Sequence, residues 1–111
     1  MKEVKENKSS TLYWMDDTAN NVFASKSGKT YRSPVGYIVG EGFTTKGDPV
    51  YVVQIGLYLM GYFPYTIDVL FGHQTKSAII NYQKKSSWGL TPDGLCGTQT
   101  WKNLNYDINY K

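Results

Sequence analysis

Asp68-Val69-Leu70-Phe71-Gly72-His73-Gln74-Thr75 and Asp93-Gly94-Leu95-Cys96-Gly97-Thr98-Gln99-Thr100 are two copies of one pattern, Asp-x-Leu-x-Gly-x-Gln-Thr. They share five identities at a constant offset of 25 residues. The pattern has a physical logic. Asp bonds nearby backbone amides and fixes a turn, Leu is expected to insert into a core, and Gly ends the loop at a helix N-cap. Thr then falls near the third helical position, where its hydroxyl can satisfy polar groups of the first turn, while Gln points outward. If both leucines are core residues, Leu70→Ala or Leu95→Ala should each lower stability by roughly 2–5 kcal/mol.

Working outward, each copy opens a helical stretch. Ala78, Ile79, Ile80 and Tyr82 give an amphipathic pattern from about His73 to Ser86, followed by Gly89. After the second copy, Trp101 and Leu104 share one face of a short helix predicted over Thr98–Leu104. Upstream, Asp48 can cap a helix whose first turn accepts Pro49; Val50, Val53, Leu57 and Met60 then recur at helical spacing, and Gly61 can end it with positive φ. That helix is predicted over Pro49–Met60. The fold class is therefore mainly α, a small three-helix bundle with duplicated loop-helix units.

The chain before residue 46 reads differently. Residues 1–10 are polar and aperiodic, a flexible tail. Residues 11–45 alternate short apolar clusters with turn formers, which favours irregular or weak β structure of unassigned role; a hairpin pairing Val22–Ser25 with Thr30–Ser33 is compatible with the turn residues between them. Residues 46–111 hold the helical domain.

Composition narrows the function classes. Charged residues make up 19% and hydrophobic ones 41% of 111 residues, ordinary for one folded domain with an extension. A net charge of +3, with lysines dispersed along the chain, offers no polyanion-binding stripe, so nucleic acid is not an expected partner. The single Cys96 forms no disulfide within the chain, and one His makes a metal hydrolase improbable; no cofactor and no metal are expected. No segment has the length of a membrane span. The start, Met1 to Lys8, lacks the apolar region of a signal peptide, which points to a piece of a longer exported protein or to another export route. Aromatic residues reach 15%, with ten Tyr, so part of them should lie at the surface.

From Lys46 to Leu104 the sequence resembles the peptidoglycan-binding domain family found beside cell-wall hydrolases, phage endolysins and spore-cortex enzymes. Asp48-Pro49-Val50, Val53-Gln54, Leu57 and Gly61-Tyr62 look like the family's first helix. Asp68, Phe71-Gly72, Thr75, Ala78-Ile79, Tyr82-Gln83, Gly89-Leu90, Asp93-Gly94, Gly97, Thr100-Trp101 and Leu104 follow its order and spacing. Val69 departs from it, standing where the family usually has Gly, and Cys96 stands where it usually has an apolar residue. A small buried hydrophobe and a reactive thiol are the two readings of Cys96.

The resemblance implies non-catalytic binding of peptidoglycan, glycan or stem peptide, that tethers a linked or partner effector such as a cell-wall hydrolase at an extracellular or wall-associated site. Tyr62, Phe63, Tyr65, His73, Gln74, Trp88, Thr98, Gln99 and Trp101 are the candidate ligand contacts, with Tyr106 and Tyr110 peripheral, in a groove between helix starts. Plainer roles stand beside them: Trp101 is spaced with Leu104 as a core residue, Trp88 can pack under the second loop, and His73 can be a capping or solvent-exposed residue. A paired-carboxylate or Cys96–His73 catalytic site lacks supporting residues, so no enzyme activity is expected. The rival is a protein–protein interaction module using the same fold, with the aromatic extension Leu12 to Tyr37 as its interface.

Overall fold

The computed structural model describes residues 13–18, 21–26, 28–34, 36–63, 67 and 70–110. Three strands precede three helices: β1 Tyr13–Asp17, β2 Asn21–Lys26, β3 Lys29–Pro34, α1 Asp48–Leu59, α2 His73–Lys85 and α3 Thr98–Tyr110. The strands form one antiparallel sheet in the order β1-β2-β3. Val22 pairs with Ser33 and Ser25 with Thr30, the hairpin register expected from the turn residues. The ladder runs on to Lys26 opposite Lys29, so the loop is two residues long, and Gly28 takes the positive φ of 88° that such tight hairpins demand.

The sheet is regular because one of its faces is a core face. Met15 lies opposite Ala24, and Ala24 opposite Tyr31, a row across all three strands that is almost wholly withdrawn from solvent. This row packs on α1. Tyr31 stacks on Tyr51 of α1 with ring centroids 4.3 Å apart. Side chains of Met15, Val22, Ala24 and Tyr31 join those of the three helices in one hydrophobic cluster.

That arrangement explains a departure from expectation in α1. An apolar stripe of Val50, Val53, Leu57 and Met60 was expected, yet Val52, Ile55 and Gly56 are buried as well, so the middle of the helix is covered on more than one side, while Tyr58 stays exposed. The sheet covers one side, and α2 and α3 pack on others. Gly56 is where the approach is closest: a Cβ there would stand 2.8 Å from both Met15 Sδ and Leu104 Cδ2, so the absent side chain lets β1 and α3 converge on the helix.

Helix limits carry two more corrections. Asp48 is the first residue of α1 and does not cap it; Gly47, at φ 90°, is the N-cap, and no side chain bonds the free amides. At the other end Gly61 has the expected positive φ, 84°, with Gly61 N donating to Tyr58 O and Tyr62 N to Leu57 O, the paired bonds of a Schellman ending. The second correction is α3, which continues to Tyr110 and not merely to Leu104. Its last turns are anchored by polar groups: Asn105 and Asp107 are each about 5% exposed, and Asn109 Nδ2 donates to Met15 O on β1 at 3.1 Å and to Asn105 O at 3.0 Å. Apolar periodicity gives no sign of such a helix end.

Candidate ligand-binding clefts

Each duplicated loop is held by a buried glutamine from the preceding helix. Gln54 of α1 donates through Nε2 to Leu70 O at 3.3 Å and to Thr75 Oγ1 at 3.0 Å. Gln83 of α2 does the same for the second copy, donating to Leu95 O at 3.0 Å and Thr100 Oγ1 at 3.3 Å. It also reaches Asp93 Oδ1 at 3.2 Å, and its Oε1 accepts the Gly94 amide at 3.0 Å. The two threonines are buried, and their hydroxyls accept from these glutamines in place of serving the polar groups of their own first turns as expected; the glutamines that engage them were not foreseen as a pair. They sit 16 and 12 residues before the matching leucines, so a search at one fixed offset passes over them.

Asp93 fixes its turn as expected, accepting the Leu95 amide at 2.9 Å. Its counterpart Asp68, and Val69, lie outside the described residues. The loops are further tied to the segment that links sheet and helices: Phe71 N donates to Thr45 O, while Cys96 and Val39 exchange both backbone bonds. Leu70 corrects the expectation of a core residue. It is 62% exposed, because the strand-like bridge to Lys46 turns its side chain outward, whereas Leu95 is half-buried.

Beside each glutamine and threonine lies a cleft. One, of about 300 Å³, is bounded by Ile38, Gln83, Leu90, Asp93, Leu95 and the start of α3 with Thr98, Gln99 and Thr100. The other, of about 220 Å³, is bounded by Gln54, Phe63, Leu70 and the start of α2 with His73, Gln74 and Thr75. An adjoining hollow of about 220 Å³ runs from His73 to Lys76, Glu41 and Thr45. Lys76 Nζ contacts Glu41 Oε1 at 2.6 Å, and this hydrogen-bonded cation holds the Glu41 carboxyl below its usual range. At α2 no side chain caps the first turn and no acidic residue stands in it, so the positive end of the helix faces His73 and Gln74.

The predicted ligand contacts divide accordingly. His73 and Gln74 are exposed in one cleft, Thr98 and Gln99 exposed in the other, and the two linings share no residue, so there are two clefts in place of a single groove. Phe63 lines the first of these but is only 2% exposed. Trp101 is fully buried, its Nε1 donating to Tyr37 O at 3.0 Å; packing with Leu104 makes it core and leaves no surface for a ligand. Tyr62 is half-buried, edge-on to Tyr82 at 5.7 Å. Trp88 and Tyr106 are exposed together, away from both clefts' linings. Tyr110 closes α3, and Tyr65 lies outside the described residues. Cys96 is fully buried, and burial raises its thiol pKa well above the usual value, as fits a small core residue. Among the described residues no three His, Cys, Asp or Glu side chains gather as a metal site, and no helix is long and apolar enough to cross a membrane.

Paired clefts at two helix starts, each beside a buried glutamine, mark a small helical module with a sheet packed on its first helix. Comparison with known proteins gives the family. Residues 46–104, more than half of the chain, match the family described as "Putative peptidoglycan binding domain", and the chain belongs to that family. It is 37% identical over 60 residues to the N-acetylmuramoyl-L-alanine amidase CwlM of Mycobacterium tuberculosis, covering 54% of this chain and 14% of that protein. It is 38% identical over 61 residues to an uncharacterized protein of Kitasatospora aureofaciens, covering 54% of this chain and 50% of that one. Among solved structures it resembles a peptidoglycan-binding protein from Clostridioides difficile, in complex with glutamine hydroxamate, with a TM-score of 0.74 and 28% identity. That match covers 87% of this chain and 59% of the other, and so extends beyond residues 46–111 into the part of the chain before them. The chain thus spans half or less of the length of the curated relatives it matches.

Proposed function

We propose that this protein binds peptidoglycan without catalysis and holds a linked or partner effector, such as a wall hydrolase, at the cell wall. The observation that carries the reading is the family match over residues 46–104, coinciding with the two glutamine-braced clefts. Gln74 and Gln99 occupy equivalent positions in the duplicated units, and each presents both a donor and an acceptor to amide or carboxylate groups of a stem peptide. His73 and Thr98, beside them at the helix starts, add polar contacts, and the first turn of α2, with no side-chain cap, favours an anionic ligand. The C. difficile neighbour's complex with glutamine hydroxamate, a small amino-acid derivative bearing an amide-like group, is consistent with ligands of that kind.

The test is sedimentation with purified insoluble sacculi at moderate salt. Wild-type protein should pellet with them. Gln74→Ala and Gln99→Ala should each weaken retention several-fold, the effect of one lost hydrogen bond worth about 0.5–1.5 kcal/mol, with folding intact. Protein that stays in the supernatant would refute wall binding. Retention of both variants at wild-type strength would instead refute the helix-start clefts as the contact site.

A further inference from the structure

Trp88 and Tyr106 form an exposed aromatic pair fixed from below by a buried carboxylate. Trp88 follows α2 and is 40% exposed; Tyr106, on α3, is 44% exposed. Their rings meet edge to face, with centroids 5.3 Å apart and planes at 87°. Trp88 Nε1 donates to Asp107 Oδ1 at 2.9 Å, and the Tyr82 hydroxyl donates to Asp107 Oδ2 at 2.6 Å. Trp88 is also held through its backbone, whose amide donates to Ser86 Oγ at 3.1 Å. Asp107 is 5% exposed and Tyr82 1%.

A surface tryptophan held by packing alone can change rotamer. Here the indole is held at its nitrogen, by its contact with the Tyr106 ring and through its backbone. Keeping a carboxylate out of water is costly, and this one is used to orient a residue that is largely on the surface. The result is a preorganised aromatic face that loses little entropy on binding. Because the single indole donor is already engaged by Asp107, what the ring exposes is apolar aromatic carbon and not a hydrogen-bond donor. Such a face suits the C–H face of a saccharide ring better than the amides of a peptide. The pair is separate from the helix-start clefts, and Tyr106 and Asp107 lie beyond residue 104, where the family match ends.

We propose that Trp88 and Tyr106 form a glycan subsite in which the indole stacks on an N-acetylhexosamine ring of the glycan strand and the perpendicular Tyr106 ring flanks it, with Asp107 as the positioning residue. This rests on the wall-binding reading and specifies which part of the polymer this surface takes. The test is NMR titration of the isotope-labelled full chain with a peptide-free β-1,4-linked N-acetylglucosamine tetramer. The Trp88 indole N–H signal should shift saturably while that of buried Trp101 stays in place. Trp88→Ala should weaken binding roughly tenfold or more and Tyr106→Ala several-fold. Asp107→Asn should weaken binding with Trp88 still present and broaden its indole signal. The absence of a saturable Trp88 shift overturns the proposal, and so does undiminished binding by folded Trp88→Ala. If Trp88→Ala does not fold, the wild-type titration and Tyr106→Ala decide. Protein that pellets with sacculi but ignores the tetramer refutes the glycan subsite and leaves wall binding standing; protein that does neither loses both.

Discussion

Gln83→Ala is the substitution that most directly tests how the duplicated loops are held. Gln83 is 2% exposed and engages Asp93, Leu95, Thr100 and Gly94. Truncation leaves the buried Gly94 amide without its acceptor and the Leu95 carbonyl and Thr100 hydroxyl without their donor. Each orphaned buried group costs about 1–3 kcal/mol. Water entering from the adjoining cleft of about 300 Å³ can serve the acceptors, so one unrelieved donor and one partly relieved acceptor are counted. The expected loss is about 2–4 kcal/mol, a fall in Tm on the order of 10–20 °C for a domain of this size. Leu70→Ala is the control. With Leu70 62% exposed, truncation should cost about 0.5 kcal/mol or less, in the range of surface substitutions. Urea unfolding followed by tryptophan fluorescence, with buried Trp101 as a reporter, measures both. The reasoning fails if Gln83→Ala unfolds within about 0.5 kcal/mol of wild type, or if Leu70→Ala proves the more damaging change.

Two further outcomes can be checked on the same preparations. Gly56→Ala should destabilise by about 1–2 kcal/mol in urea unfolding: a Cβ 2.8 Å from Met15 Sδ and Leu104 Cδ2 overpacks fully buried neighbours by more than the roughly 1 kcal/mol that alanine gains in helix propensity. Cys96 should resist iodoacetamide in the folded protein at a pH of about 8.5, the ordinary thiol range, and react once urea unfolds it. Desolvation, reinforced by Asp93, raises its pKa well above the ordinary thiol range, so the native state binds this proton more tightly than the unfolded chain does. The resulting stabilisation is complete below the ordinary thiol range and declines as pH rises through it towards the native value. Ready alkylation of the native protein would contradict that burial.

The helical half was legible because its signals are local. Gly72 as N-cap, Thr75 at the third helical position and Gly61 at positive φ all follow from residue chemistry within one turn. The hairpin register was legible for the same reason. What escaped depends on contacts between distant segments. Leu70 looks like Leu95 in sequence, yet its place in a bridge with Lys46 exposes it. The buried glutamines hide behind unequal loop lengths, and Asp107 reads as a surface charge until Tyr82 and Trp88 are seen to donate to it. One overlooked signal was available: Val50-Tyr51-Val52-Val53-Gln54-Ile55-Gly56-Leu57 is apolar but for Gln54, too wide for a single stripe, which requires a second cover, and the sheet supplies it. Of the candidate contacts, His73, Gln74, Thr98 and Gln99 were placed at the helix starts by their spacing alone; the separation into two clefts was not, since it depends on how α2 and α3 are set against the linking segment.

The bond from Asn109 near the end of α3 to Met15 in β1 brings opposite ends of the sequence to the same place. Loosening of either element breaks the same bond, so fraying of β1 and of the last turn of α3 is coupled into one local opening.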